Sequence, residues 1–593
     1  MTIGSLEKSL SPFIIYYNQQ SKTNTIYNIL SINQMSNFTQ SETPLFQVPS
    51  RKTEPIIQTA IINFHDRKIG VPDCLIPHDN LDLHFGIIKL RIRGEIPITK
   101  EIHIDYAIDK SGSMIEPCKD GKSKMQHIKF ALQNMLQIFH QTTEANISVR
   151  IQSFDDYVYT VLETVEDIKS KTEDELNEII TKINTMAPNR STNIEKTLIN
   201  TNVYLETYIK EHPSKRVAHI LLTDGAITSG STNKPYLKGL VNKDYPNIFL
   251  GYGLQHDNLL LTSLETAGKY NEYRLVDNLE KSGLVYGEVI HQLLYTAIED
   301  VTLKAENCEI YDYSTNAWTT TLDIGHLISD QEKIFQIRSL KPKESLISVY
   351  GRTIHQTRQS EVLTDEIELQ IQATPVILSS IPCDLTNYLF RQKTQELLFK
   401  TKEHLQNAEP EKDPFDQYRS VLIEPKNETK ESNESKKTDV LTDVLKKQIK
   451  DFFTSMLDYI EANKLKEDEF FKMLCDDIYI AIKSFDMDNG LMFAAARHNS
   501  QGRQQSYTPR FEESDSSAES TTTLKRGYTL GPRSTPRLRP ESIETKVTKD
   551  DLDYRYQLSQ NDISPYSSIG QVKLMREVSY TQEVNEQDDL NIP

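Results

Sequence analysis

Between residues 99 and 297 the apolar positions switch repeatedly between a period of two and a period near 3.6. Ile102, Ile104, Tyr106 and Ile108 alternate with His103, Asp105 and Ala107, the pattern of a strand. From Ser123 to Thr142, residues Met125, Ile128, Leu132, Met135, Leu136 and Phe139 share one side of a helix. The same reading predicts strands over 147–154, 157–162, 217–222, 247–253 and 273–276. It predicts helices over 172–184, 192–209 and 282–297, the first capped by Thr172 with Glu175 three residues on. Strands and helices in alternation imply an α/β fold with a doubly wound, mostly parallel sheet.

The flanks have other rhythms. Residues 1–50 are polar, rich in Asn, Gln, Ser and Thr, and are expected to be disordered. Residues 51–98 carry β segments at 56–62 and 85–92. Short alternating runs at 301–311, 318–322, 333–337, 345–350 and 366–373 predict an all-β, sandwich-like domain over 298–376. Its expected core includes Trp318, and the strands of 56–98 are expected to pack beside it across the α/β insertion. A helix follows within 377–406, then a charged linker over 407–437. A helical block spans 438–507, with Leu441, Val444, Leu445, Ile449, Phe452 and Phe453 at core spacing. Residues 508–593, rich in Ser, Thr, Pro and Arg and then acidic, are expected to form a disordered tail.

Composition narrows the function classes. The net charge of -18 excludes non-specific attraction to nucleic acid or to an anionic membrane, because the long-range field has the wrong sign. No apolar run approaches the roughly 20 residues that span a bilayer. The first residues lack the basic start and apolar stretch of a signal peptide. Cys74, Cys118, Cys308, Cys383 and Cys475 are far apart and match neither a disulfide framework nor a zinc-ligand spacing. An intracellular, cytoplasmic protein with free thiols is the expectation. Heavy use of Ile, Asn, Lys and Tyr resembles proteins of AT-rich genomes, including giant DNA viruses of amoebae. A viral source would place the chain in host cytoplasm or in the virion.

Three fragments carry the candidate chemistry. The strand of Ile102 to Ile108 ends in Asp109-Lys110-Ser111-Gly112-Ser113-Met114, a carboxylate and two hydroxyls spaced by single residues. Arg190-Ser191-Thr192-Asn193 opens a predicted helix, and Thr223-Asp224-Gly225 ends a predicted strand. Each fragment alone is a common turn or helix-cap sequence. Together, each at the end of an element where α/β sheets bind ligands, they mark one crevice. The pattern Asp-x-Ser-x-Ser, then Thr, then Asp resembles the metal-ion-dependent adhesion site of the von Willebrand factor A (VWA) domain.

That resemblance implies a site holding Mg²⁺, with Mn²⁺ an alternative, through Asp109, Ser111, Ser113, Thr192 and Asp224. Ser111, Ser113 and Thr192 would be direct or switching ligands, and Asp109 and Asp224 would often act through water. Hard dications favour such oxygen donors and keep positions open for another ligand. The expected partner is therefore a protein offering an Asp or Glu carboxylate. The family often has Gly-Gly before the threonine, where this chain has Arg190-Ser191.

Other motifs fail on inspection. Gly121-Lys122-Ser123 lacks the earlier glycine of a phosphate-binding loop. Asp486-Met487-Asp488-Asn489-Gly490 has its glycine one position early for a calcium loop, and Arg497 stands at the twelfth position. There is no Gly-x-Ser-x-Gly nucleophile elbow and no Cys/His cluster of RING type. No enzyme is expected. The expected function is a protein-interaction protein. The alternative is an accessory subunit of a ubiquitin-type protein-modification complex, because the segment from Ala494 to Arg503 resembles a helical region that accompanies VWA domains in some protist and plant proteins.

Overall fold

The computed structural model describes residues 13–16, 26–29, 57–75, 82–92, 101–142, 145–353, 368–373, 375, 382–408, 434–487, 489–510 and 562–588. Strands β1 (Phe13–Tyr16) and β2 (Ile26–Ile29) pair antiparallel, correcting the expectation of an N-terminus without structure at those positions. Strands β3 (Ile57–Phe64) and β4 (His84–Ile92) lead to the α/β unit. That unit runs β5 (Glu101–Asp109), α1 (Lys124–Gln141), β6 (Asn146–Phe154), β7 (Val158–Val165), α2 (Glu173–Asn184) and α3 (Ile194–Glu211). It continues β8 (Arg216–Thr223), α4 (Lys234–Leu240), β9 (Asn247–Tyr252), α5 (Asn258–Glu265), β10 (Glu272–Val276) and α6 (Ser282–Tyr295).

Its six strands lie in the order β10-β9-β8-β5-β6-β7, parallel except for β7. Helices cover both faces, so β8 reads as a continuous apolar run, Ile220, Leu221 and Leu222 all buried. From β5 the chain moves first to β6 and later to β8 on the other side. The order therefore reverses beside the carboxyl end of β5, which is where such sheets open a ligand crevice. Helices α4 and α5 were not legible in the sequence. At seven and eight residues they are too short for a periodic signal, although Asn233 and Asp257 cap them.

Strand β11 (Thr296–Glu306) follows α6 without a linker. Then come β12 (Glu309–Asp312), β13 (Ala317–Thr319), β14 (Thr321–Ile328), β15 (Glu332–Ser339), β16 (Leu346–Thr353) and β17 (Glu368–Ala373). They form two sheets, β14-β11-β16-β17 and β13-β12-β15-β4-β3. Strands that precede the α/β unit thus pair with strands that follow it, and Ile62, Ile88 and Leu90 share a core with Val301, Leu303, Ile337 and Ile347. The single run expected over 301–311 is two strands in different sheets. Asn307, at φ 57°, turns the chain between them, a left-handed conformation that asparagine tolerates well. Trp318 sits half-buried on an edge strand rather than in the core, 5.4 Å from the Tyr311 ring and 4.6 Å from the Arg338 guanidinium.

The helical part comprises α7 (Thr386–Ala408), α8 (Glu434–Ala462), α9 (Glu469–Ser484), α10 (Gly490–Arg503) and α11 (Ile569–Asp588). Ile449, Phe452 and Phe453 are buried as the spacing predicts, but Leu441 and Val444 are 55% and 50% exposed. Their turns of α8 extend the apolar stripe beyond the neighbours available among the described residues. Buried Arg391 locks the helices to the sandwich, donating to the carbonyls of Ile334 and Gln501 at 3.0 Å each. The linker expected at 407–437 lies mostly outside the described residues.

The tail expectation needs correction. Residues 506–510 are held against the α/β unit, with the N–H groups of Ser506 and Tyr507 donating to Glu288 at 2.8 and 2.9 Å. Helix α11 then packs on α6 across two glycines. A methyl group at Gly287 would stand 2.5 Å from Met575 Cα, and one at Gly283 would stand 3.0 Å from Ser579 Cα. Residues 511–561 lie outside the described residues. Among the described residues, no helix is long and apolar enough to cross a membrane, and the five cysteines are free.

Candidate metal centre

Asp109 is the last residue of β5, opposite Phe154 in register, and Ile108 lies opposite Leu222 of β8. Asp224, two residues beyond Leu222, therefore emerges at the same rim. The short turn after Asp109 is held by its own carboxylate, whose Oδ1 accepts from Ser111 N at 2.8 Å. Ser111 Oγ lies 3.0 Å from Ser113 Oγ, and Ser113 Oγ donates to Asp224 Oδ1 at 2.7 Å. Asp109, Ser111, Ser113 and Asp224 thus form one connected network.

Thr192 reaches the same place by backbone ties from its loop. Asn189 N donates to Lys110 O at 2.7 Å, Gly112 N donates to Arg190 O at 3.0 Å, and Asn193 N donates to Asp155 O at 3.1 Å. On its other side, Thr192 N donates to Thr228 Oγ1 at 2.8 Å. A methyl group placed at Gly225 would stand 3.7 Å from Ser113 Oγ and 3.9 Å from Thr192 Oγ1, so both hydroxyls border that small residue. All five residues singled out in the sequence stand around one crevice. Arg190, where the resembled family often has glycine, holds φ 63° and places its guanidinium 5.4 Å from the centre of the Tyr157 ring.

Asp109 and Asp224 are both buried, and one cation lies against Asp224. Lys124, in the first turn of α1, donates to Asp224 Oδ2 at 2.7 Å and to Glu116 Oε2 at 2.6 Å. Burial works against its charge, but Asp224 and Glu116 outweigh that and hold its pKa above the ordinary lysine value. Among the described residues Asp109 has no such cation. Its Oδ2 accepts from Thr223 Oγ1 at 2.6 Å. Burial pushes its pKa up to about 7 and the Asp224 charge adds to this, against the pull of Thr223 and Ser111.

The donor set suits a hard dication. Carboxylate and hydroxyl oxygens favour Mg²⁺ or Mn²⁺ over softer metals. One of the two buried carboxylates lacks a counter-cation, which a metal would supply. Among the described residues no group of three or more His, Cys, Asp or Glu side chains gathers into a metal site, here or elsewhere, so this crevice would depend on its hydroxyls as well as its two carboxylates. Sequence reasoning missed Lys124, Glu116 and Thr223. A signal existed for the first: a lysine in a helix's opening turn opposes the macrodipole and calls for nearby carboxylates.

No family model matches the sequence, and no curated protein matches it. Solved structures do. The chain is similar to a von Willebrand factor type A protein from Catenulispora acidiphila at 12% identity, covering 60% of this chain and 83% of that one with a TM-score of 0.38. It is similar to the ArnB paralog VWA2 from Sulfolobus acidocaldarius at 14% identity, covering 76% and 100% with a TM-score of 0.39. A third structure, proximal thread matrix protein 1 from the mussel byssus with a zinc-occupied MIDAS motif, is 19% identical over 34% of this chain and 50% of that one, with a TM-score of 0.27.

Proposed function

We propose that this chain is a non-catalytic interaction protein that binds an acidic side chain of a partner through a divalent cation at the β5/β8 rim. The observation that supports this reading is the meeting of two carboxylates and three hydroxyls from three separate segments at the sheet's switch point. Asp109, Ser111, Ser113, Thr192 and Asp224 would hold the ion. When bound, Mg²⁺ or Mn²⁺ supplies a positive field that a foreign carboxylate can complete.

The rim suits such a partner. Ile115 is 68% exposed, Tyr157 55% and Tyr159 38%, an apolar collar beside the crevice. Lys110 lies 3.8 Å from the Tyr159 ring centre, paired with Asp155 Oδ2 at 3.1 Å, and Lys196 lies 4.7 Å from the Tyr157 ring centre, so ammonium groups sit among the collar's rings. An acidic residue flanked by apolar ones matches both features. The serines face each other and Asp224, and among the described residues no histidine stands in hydrogen-bond reach of either, which favours binding over hydrolysis.

Titration calorimetry of the full chain with Mg²⁺ is expected to show one site in the wild type and none in Asp224→Ala. Partners captured from an extract are expected to be lost both with EDTA and with Asp109→Ala. Recovery unchanged by either treatment would overturn the proposal.

A further inference from the structure

A cavity of about 310 Å³ opens where the α/β unit, the sandwich and the helical part meet, well away from the metal crevice. Strand β10 and helix α6 form one wall, β14 and β15 another, and the end of α10 with Gln571 of α11 a third. Its volume lies at the lower end of the range for small-molecule sites, which occur preferentially at domain junctions. Its lining is ionic, with Glu272, Glu288, Asp312 and Asp323 beside Lys269, Arg274, Lys333 and Arg503.

The buried carboxylates Glu272 and Glu288 have partners on both oxygens. Glu272 Oε2 accepts from Arg274 at 2.9 Å and Oε1 from Gln292 at 2.7 Å. Glu288 takes the N–H groups of Ser506 and Tyr507 as well as Arg274 Nη1 at 2.8 Å. The donors are less well served. Lys333 makes its hydrogen bond to the Arg503 carbonyl, and among the described residues it has no carboxylate at ion-pair distance. Burial holds its pKa down to about 8, against the charges of Glu272 and Glu288, which raise it. Arg503 gives its Nη2 to Glu265 Oε1 at 2.6 Å and sets its Nη1 3.5 Å from Glu272 Oε1, but among the described residues its Nε and Gln505 Nε2 have no acceptor. One acceptor is also idle: buried Gln331 gives its Nε2 to Gln504 O at 3.3 Å, and among the described residues its Oε1 has no partner.

Idle donors, an ammonium without a carboxylate and one idle acceptor describe the complement of an oxyanion that also bears a hydroxyl. We propose that this cavity binds a small hydroxylated oxyanion, its charged oxygens on Lys333 and the Nε of Arg503 and its hydroxyl on Gln331 Oε1. Unpaired buried polar groups are costly, so the ligand that pairs them would tie the three parts of the molecule together. Phosphate esters and hydroxycarboxylates share this chemistry, and the experiment separates them.

Glycerol 3-phosphate, citrate and inorganic phosphate are titrated into the full chain in EDTA, which removes any contribution from the metal crevice. At least one is expected to bind with sub-millimolar to millimolar affinity and to raise the melting temperature, with inorganic phosphate the weakest because it lacks the carbon-borne hydroxyl. Preference between glycerol 3-phosphate and citrate assigns the oxyanion. Lys333→Met is expected to weaken binding about tenfold or more. Gln331→Glu, which sets a carboxylate against the ligand, is expected to abolish binding while the circular dichroism spectrum is retained. Asp109→Ala is expected to bind as the wild type does. Binding of none of the three probes at about 10 mM, or binding that survives both cavity substitutions, would overturn the assignment.

Discussion

Lys124 decides how readily the crevice accepts a metal. Its ammonium already occupies Asp224 Oδ2, so an incoming dication must share or displace it. Lys124→Met is therefore expected to raise Mg²⁺ affinity by about tenfold, read by calorimetry; unchanged or weaker binding would show that the lysine assists the site instead. Arg190 tells a different story at the same scale. An arginine at φ 63° stores strain that glycine would release. Arg190→Gly is expected to fold with undiminished stability, whereas Arg190→Val is expected to cost about 1–3 kcal/mol in chemical denaturation. The five oxygen donors were legible because short motifs fix them at element ends. The residues that set the charge around them were not, because nothing local in the sequence says that Lys124 reaches across to Asp224, a hundred positions away.

Among the elements, α11 is the instructive case. Its aliphatic and methionine residues are few, Ile569, Val572, Leu574, Met575, Val578 and Val584, and they lie in a stretch whose composition reads as a tail. The helix forms because α6 offers a groove between Gly283 and Gly287 deep enough for backbone contact, and because Asn134 Nδ2 donates to Val578 O at 3.2 Å. Tertiary packing, rather than propensity, carries a helix of this kind. Gly287→Leu is expected to dislodge α11, seen as rapid proteolytic loss of the C-terminal segment with the rest of the chain intact. The 301–311 run was misread for a related reason. Alternation reports that a strand exists, not which sheet it joins, and the switch lies in one asparagine.

At the level of the whole molecule, the alternating pattern exposed the α/β class, while the partnership of β3 and β4 with β15 and β12 depends on contacts between residues more than 200 apart. A chain starting at residue 99 lacks the β4 partners of Phe335 and Ile337 and is expected to lose the sandwich, measured as exposed apolar surface by dye binding. Acid should act on the molecule as a unit. Burial holds the pKa of His103 and His498 down to about 3, and of His256 and His291 to about 4. The unfolded chain takes up these protons near pH 6.5 and the folded chain does not. Stability is therefore complete above that pH and falls below it by about 1.4 kcal/mol per histidine for each pH unit. Asp277, which burial holds up to about 6, works in the opposite direction and trims the slope. The melting temperature is expected to be flat above pH 7 and to fall steadily toward pH 4.5; a rise over that interval would refute the account.

The α/β unit leaves and re-enters the sandwich at the same end. Strand β5 starts just after β4, α6 runs straight into β11, and Arg216 at the foot of β8 pairs with Glu299 of β11. The crevice opens at the far end of the strands. Tension from a ligand gripped there would travel down a stiff parallel sheet and divide between two anchorages, so that the sandwich would be loaded in shear across its ladder instead of being unzipped strand by strand.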